Sequence, residues 1–123
     1  MLAACLKQKA GEPPAPIDET VRREAPVQPA QPIEPSPRVQ ASLKLTEQAS
    51  QLLDEGQTDK AMRVLEQAIS LDPDNGRNYY YMAQAWLIKE VASEAREFNQ
   101  LADLHLRGNP EWQIRVARQE VAA

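Results

Sequence analysis

At 123 residues the chain has room for one small domain and a tail, and its single cysteine excludes an intrachain disulfide. A formal net charge of −4 argues against nucleic acid as the main partner, because a basic patch is the expected footprint of such binding. No apolar run reaches the roughly 18 residues that a spanning helix needs.

The first element is Leu2-Ala3-Ala4-Cys5: an aliphatic residue, two small residues and the cysteine. It resembles the lipobox of bacterial lipoproteins. The resemblance implies that a signal peptidase cuts before Cys5 and that lipid is attached to its thiol and its new amino group. The small residues suit that step, since the peptidase cleft closes around backbone with little side chain in the way. A secretory signal needs a charged start and an apolar stretch of roughly 7–15 residues. Only Met1 to Ala4 precede the cysteine, so residues 1–5 read as the remnant of a lipoprotein signal. In lipoproteins of bacteria with two membranes, an Asp after the cysteine often marks inner-membrane retention. Leu6 stands there instead, so the resemblance points to an outer-membrane anchor facing the periplasm. If Cys5 is not acylated, the chain reads as a cytosolic protein.

Residues 6–41 read as a disordered, proline-rich linker. Eight of the ten prolines lie from Pro13 to Pro37, including Pro13-Pro14-Ala15-Pro16 and the string Pro26, Pro29, Pro32, Pro35, Pro37. Proline fixes φ and removes a backbone donor, so neither helix nor sheet ladder propagates. Large apolar side chains are too scarce for a core. Such a segment samples polyproline II and acts as a semi-rigid spacer, reaching roughly 100 Å at about 3.1 Å per residue if fully extended. The Pro26-Val27-Gln28-Pro29 spacing also matches a ligand of proline-binding domains, a weak pattern in so proline-rich a tract. Residues 1–40 balance five basic against five acidic side chains, which leaves the whole net charge on residues 41–123.

From Ser42 the composition changes, and apolar residues recur at helical spacing. Leu45, Ala49, Leu52 and Leu53 form a first stripe, broken at Gly56. Thr58 is the expected N-cap of a second helix, with Ala61, Leu65, Ala68 and Ile69 on one face and an end at Leu71-Asp72-Pro73. Asp74 or Asn75 caps a third, carrying Tyr79, Met82, Ala83 and Trp86. A fourth carries Ala95, Phe98, Leu101 and Ala102 and ends at Gly108. Asn109 as N-cap and Pro110 at the first helical position start a fifth over 110–122. Its apolar face is expected to be Ile114, Ala117 and Val121, with Trp112 near its start and Arg115, Arg118, Gln119 and Glu120 in water.

Gly56, Ala61, Leu65, Ala68 and Pro73 together resemble the tetratricopeptide repeat, a helix-turn-helix unit of about 34 residues. In that family a small residue ends the first helix, small residues early in the second let the helices approach, and Pro closes the unit. Residues 42–75 fit the pattern, with Leu45 at the usual Trp position and Ala49 at the usual Gly. Residues 76–109 are a looser copy: Tyr79, Ala83, Trp86, Ala95 and Ala102 match, Glu90 replaces the turn Gly, and the closing Pro is displaced to Pro110. The expected fold is therefore all-α, two such hairpins and a capping helix over 42–123, behind the proline-rich segment. Repeats cannot bury their apolar faces alone, so the cap must close the stack or a second copy must.

The resemblance implies a binding module whose concave face is lined by the first helix of each pair. Carried over by position, the lining residues are Thr46, Ser50 and Leu53, then Arg77, Tyr80, Gln84 and Leu87. Tyrosine offers a stiff apolar surface with a hydroxyl, which suits such a face, and Arg77 suits a peptide carboxylate. Trp86 and Trp112 read as core. Chemistry is not in evidence: the one histidine, His105, sits at a helix end without a nucleophile or ligand partner, and no phosphate loop, metal spacing or hydrolase motif occurs. No enzyme, cofactor or metal is expected. The leading expectation is a lipid-anchored adaptor of the cell envelope that holds a protein or peptide partner near the membrane. A self-associating structural lipoprotein, as a homodimer, is the alternative.

Overall fold

The computed structural model describes residues 34–122, apart from the side chain of Val121. Leu2 to Cys5, the stretch 6–33 of the linker and the expected packing of Val121 lie outside the described residues. Among those described there are five helices and no strand: α1 Pro37–Asp54, α2 Thr58–Leu71, α3 Gly76–Ile88, α4 Ala92–His105 and α5 Pro110–Ala122.

The first helix starts at Pro37, ahead of the boundary expected at Ser42. Ser36 is its N-cap, with extended backbone, and its hydroxyl accepts the Val39 N–H at 3.2 Å. Pro37 follows at the first turn, where its missing N–H costs nothing. The third helix is capped by Asn75, whose Oδ1 accepts from the Arg77 N–H at 3.1 Å. Thr58 is not a cap but the first residue of α2. Gln57 occupies the cap position and makes no side-chain capping bond.

α1 and α2 pack as one antiparallel hairpin and α3 and α4 as the next, while α3 also touches α1 and α5. Small residues make the close approaches: Ala49, Ala61, Ala68, Ala83, Ala95 and Ala102 are all essentially without solvent contact. Gly76 belongs with them. A Cβ there would sit 2.5 Å from Leu106 Cγ and 3.1 Å from the backbone carbon of His105. Two apolar clusters result. One holds Leu52, Leu53, Leu65, Met82 and Ala85; the other holds Tyr79, Ala102, Leu106 and Val116. Ile69 and Phe98 pack against both, so the hairpins share a continuous interior.

α5 is rotated from its expected orientation. Ile114 is 54% exposed and Ala117 is exposed, whereas Val116 and Gln119 are buried. Trp112, Val116 and Gln119 follow one another at helical spacing and make the face that meets the second hairpin. The polar residue on that face hid it from a reading by hydrophobicity. Gln119 Nε2 donates to Asn99 Oδ1 and to the Tyr80 carbonyl, both at 3.0 Å, and Asn99 Nδ2 donates to the Val116 carbonyl at 3.0 Å. These bonds satisfy amides that burial would otherwise leave unpaired at a cost of about 1–3 kcal/mol each.

Candidate functional site

The first helices of successive units neighbour one another, so α1, α3 and α5 share one side of the molecule. Between α3 and α5 that side forms an open groove of about 480 Å³. Tyr80, Gln84 and Leu87 line it from α3 at i, i+4 and i+7, one stripe of the helix. Arg115, Arg118, Gln119 and Ala122 line it from α5.

An aromatic and cationic cluster stands at the groove. The rings of Tyr80 and Trp112 meet edge to face at 5.4 Å, and Tyr81 meets both, at 5.2 Å from Tyr80 and 6.0 Å from Trp112. The Arg115 guanidinium lies 4.5 Å from the Trp112 ring centre and that of Arg77 lies 5.3 Å away. Cation–π attraction of this kind contributes about 0.5–1 kcal/mol at an exposed site and orients both guanidinium groups. Burial raises the Tyr80 hydroxyl above its ordinary pKa, against the opposing pull of Arg115, so Tyr80 presents a neutral donor beside the arginines. No carboxylate lines the groove, and the one ion pair among the described residues joins Lys89 to Asp59 at 2.6 Å, elsewhere on the surface. Arg115 and Arg118 thus form a positive strip on a chain of net charge −4.

Of the lining residues expected from sequence, the structure brings Tyr80, Gln84 and Leu87 together in the groove, with Arg77 beside them on Trp112. Ser50 is half-buried on α1 and lies apart from it. Thr46 and Leu53 do not line an open face. Leu53 is 6% exposed and packs in the first cluster. Thr46 is 3% exposed and bonds across α1 and α3: its hydroxyl approaches Asn78 Oδ1 at 2.5 Å, and Asn78 Nδ2 donates to Ser42 Oγ at 3.3 Å. The direct contact of α1 with α3 closes the face at that point. Trp112 is half-buried and serves both the second cluster and the groove.

Arg115, Arg118 and Gln119 were the residues missed, placed in water on a cap. The repeat length held the signal, because thirty-four positions beyond Gln84 stands Arg118. His105 lies in the last turn of α4 and stacks on Tyr79 at 5.2 Å, a helix-end packing role. Among the described residues no group of His, Cys, Asp and Glu is placed to hold a metal ion.

A family model for the tetratricopeptide repeat matches residues 52–118, more than half of the chain. No curated protein and no solved structure matches it.

Proposed function

Because this chain belongs to the tetratricopeptide repeat family, a protein-interaction fold that is generally not enzymatic, we propose that it is a lipid-anchored adaptor of the cell envelope. Its α3/α5 groove takes an extended, acidic segment of a protein partner. The observation that carries this is the composition of the groove: two arginines, two glutamines, a tyrosine, a leucine and an alanine, with no carboxylate. A carboxylate of the partner meets Arg115 and Arg118 in charge-assisted bonds, which are about twice as strong as neutral ones. Tyr80 and Leu87 supply the apolar contact, and Gln84 the amide that pairs with an extended backbone.

The anchor rests on Leu2-Ala3-Ala4-Cys5 and on the proline-rich linker after it. In this reading, lipid on Cys5 is the membrane attachment. Each buried methylene contributes about 0.8 kcal/mol, and two acyl chains hold stably. With Leu6 after the cysteine, the outer membrane facing the periplasm is the location this reading favours. The linker then sets reach and the groove sets choice.

Two experiments test the two halves separately. Intact mass of the natural protein, with acyl chains on Cys5, supports the anchor; a free thiol there refutes it and returns the chain to a cytosolic adaptor. Pull-down from envelope extract with the parent chain and with Tyr80→Ala, Gln84→Ala tests the groove. Partner recovery unchanged by the double substitution rejects the groove as the site.

A further inference from the structure

The α3/α5 groove has two unlike ends. Both helices run along it in the same direction: Arg77 and Trp112, in the first turn of each, meet at one end. Leu87 and Ala122, in the last turn of each, line the other. Charge is confined to the first end and the middle. Arg77 and Arg115 share the Trp112 ring, and Arg118 follows Arg115 within one turn. Two like charges over one indole repel each other, and an anion placed beside both is attracted by both. At the second end the lining is uncharged, and Leu87 is half-buried there with Ala122 exposed opposite it.

The distance between the ends is set by the helices. Ten residues separate Arg77 from Leu87 and seven separate Arg115 from Ala122, about 15 and 10 Å of helix at about 1.5 Å per residue. An extended partner segment advances about 3.3 Å per residue and turns alternate side chains to one face. Two side chains four positions apart therefore share a face and stand about 13 Å from each other. A separation of two positions falls short of the groove, and one of seven overshoots it.

We infer that the groove reads a two-point pattern in an extended segment of a protein partner. A carboxylate is drawn to Arg115 and its neighbours Arg77 and Arg118, and an uncharged apolar side chain four positions away seats on Leu87 and Ala122. The pattern rests on the groove being the site of an acidic segment, and it adds which end takes the acid and how far off the apolar anchor stands.

NMR titration of the ¹⁵N-labelled full chain with synthetic peptides tests it. The peptides are of one length and capped at both ends, with one Asp and one Leu in a serine background. Asp and Leu are two, four or seven positions apart, and a control lacks the Leu. The four-position peptide binds at least about fivefold more tightly than the others and shifts amides at both ends of the groove. The Leu-free control shifts only the end with Arg77 and Arg115. Leu87→Ser removes the advantage of the four-position peptide and leaves the affinity of the Leu-free control unchanged. Should that variant fail to fold by circular dichroism, the spacing series on the parent chain decides alone. Equal affinity at every spacing overturns the two-point pattern and leaves the acidic-segment reading standing. Groove amides unmoved by any Asp-bearing peptide overturn that reading, and the pattern with it.

Discussion

Glu90→Gly should make this protein more stable. Glu90 is the only residue other than glycine with a positive φ among those described, at +61°. It closes α3: its N–H donates to the Leu87 carbonyl at 3.0 Å and the Val91 N–H donates to that of Trp86 at 3.0 Å. The same closure ends α1, where Gly56 at φ +82° donates to Leu53 at 3.1 Å and Gln57 donates to Leu52 at 2.8 Å. An L-residue held left-handed costs about 1–2 kcal/mol, because its Cβ crowds the following carbonyl. Glycine avoids that cost but frees the unfolded chain by about 0.4–1 kcal/mol. The side chain of Glu90 is exposed and has no bond to lose among the described residues. The difference leaves a gain of about 1 kcal/mol, or about 4–8 °C in Tm for a domain of this size. Urea titration followed by circular dichroism reads it as a higher midpoint at unchanged slope. Gly56→Ala is the mirror experiment. No atom lies within 4 Å of the added Cβ, so its expected loss of about 1 kcal/mol holds no steric clash and is backbone strain less the smaller freedom of the unfolded chain. A Glu90→Gly chain no more stable than its parent would refute the reasoning.

Gly76→Ala should destabilise by about 1–3 kcal/mol, because Leu106 Cγ is not the free end of a side chain and the His105 backbone behind it resists displacement. Urea midpoints check it. Asn99→Ala and Gln119→Ala should each cost about 1–3 kcal/mol, and their double-mutant cycle should show a coupling of at least about 0.5 kcal/mol. Strict additivity would mean that the buried amides do not act together. Burial, with Asp74 and Asp72 nearby, raises the Tyr79 hydroxyl, and burial raises that of Tyr80. Folded values above unfolded ones give stability that is fully present below about pH 10 and lost as pH rises through the raised values. Absorbance titration of tyrosinate should therefore show a late component that Tyr79→Phe and Tyr80→Phe each diminish. Arg115→Gln should move the Tyr80 share later still, since that guanidinium favours the phenolate.

The helical hairpins were legible because their small residues recur at fixed spacing: Ala61, Leu65 and Ala68 are buried at i, i+4 and i+7, as read. Tyr79 as a core position, and Tyr80 turned from it onto another face, also followed from helical periodicity. The start of α1 was missed at Ser36-Pro37, although Asn109-Pro110 was read by the same cap-and-proline logic. Four prolines recurring every third residue, Pro26 to Pro35, masked Pro37, which begins a helix. The face of α5 was misread because hydrophobicity cannot point to a seam made of Val116 and two amides. Thr46 and Leu53 were assigned to the concave side by position, and position alone does not tell how closely α1 and α3 approach.

Leu65 and Asn99 occupy the same place in the two units, thirty-four positions apart, and the exchange decides how the groove is built. Leu65 is sealed in the first cluster, where an apolar contact tolerates small shifts of the neighbouring helix. Asn99 tolerates little, since its amide must meet the Val116 carbonyl and the Gln119 amide at once. Gln119 in turn spends its two hydrogens on Asn99 and on the Tyr80 carbonyl. This polar clamp sets the rotation of α5, and the rotation brings Arg115 and Arg118 to the flank that faces Tyr80. Val116 is the one apolar side chain of α5 fully enclosed among those described, so α5 is the helix held by the least apolar burial. Elements of that kind open first in local unfolding. The groove therefore lasts only as long as α5 stays seated. A ligand that bridges Tyr80 on α3 and Arg118 on α5 binds the seated form alone, and so must stabilise α5 as it binds.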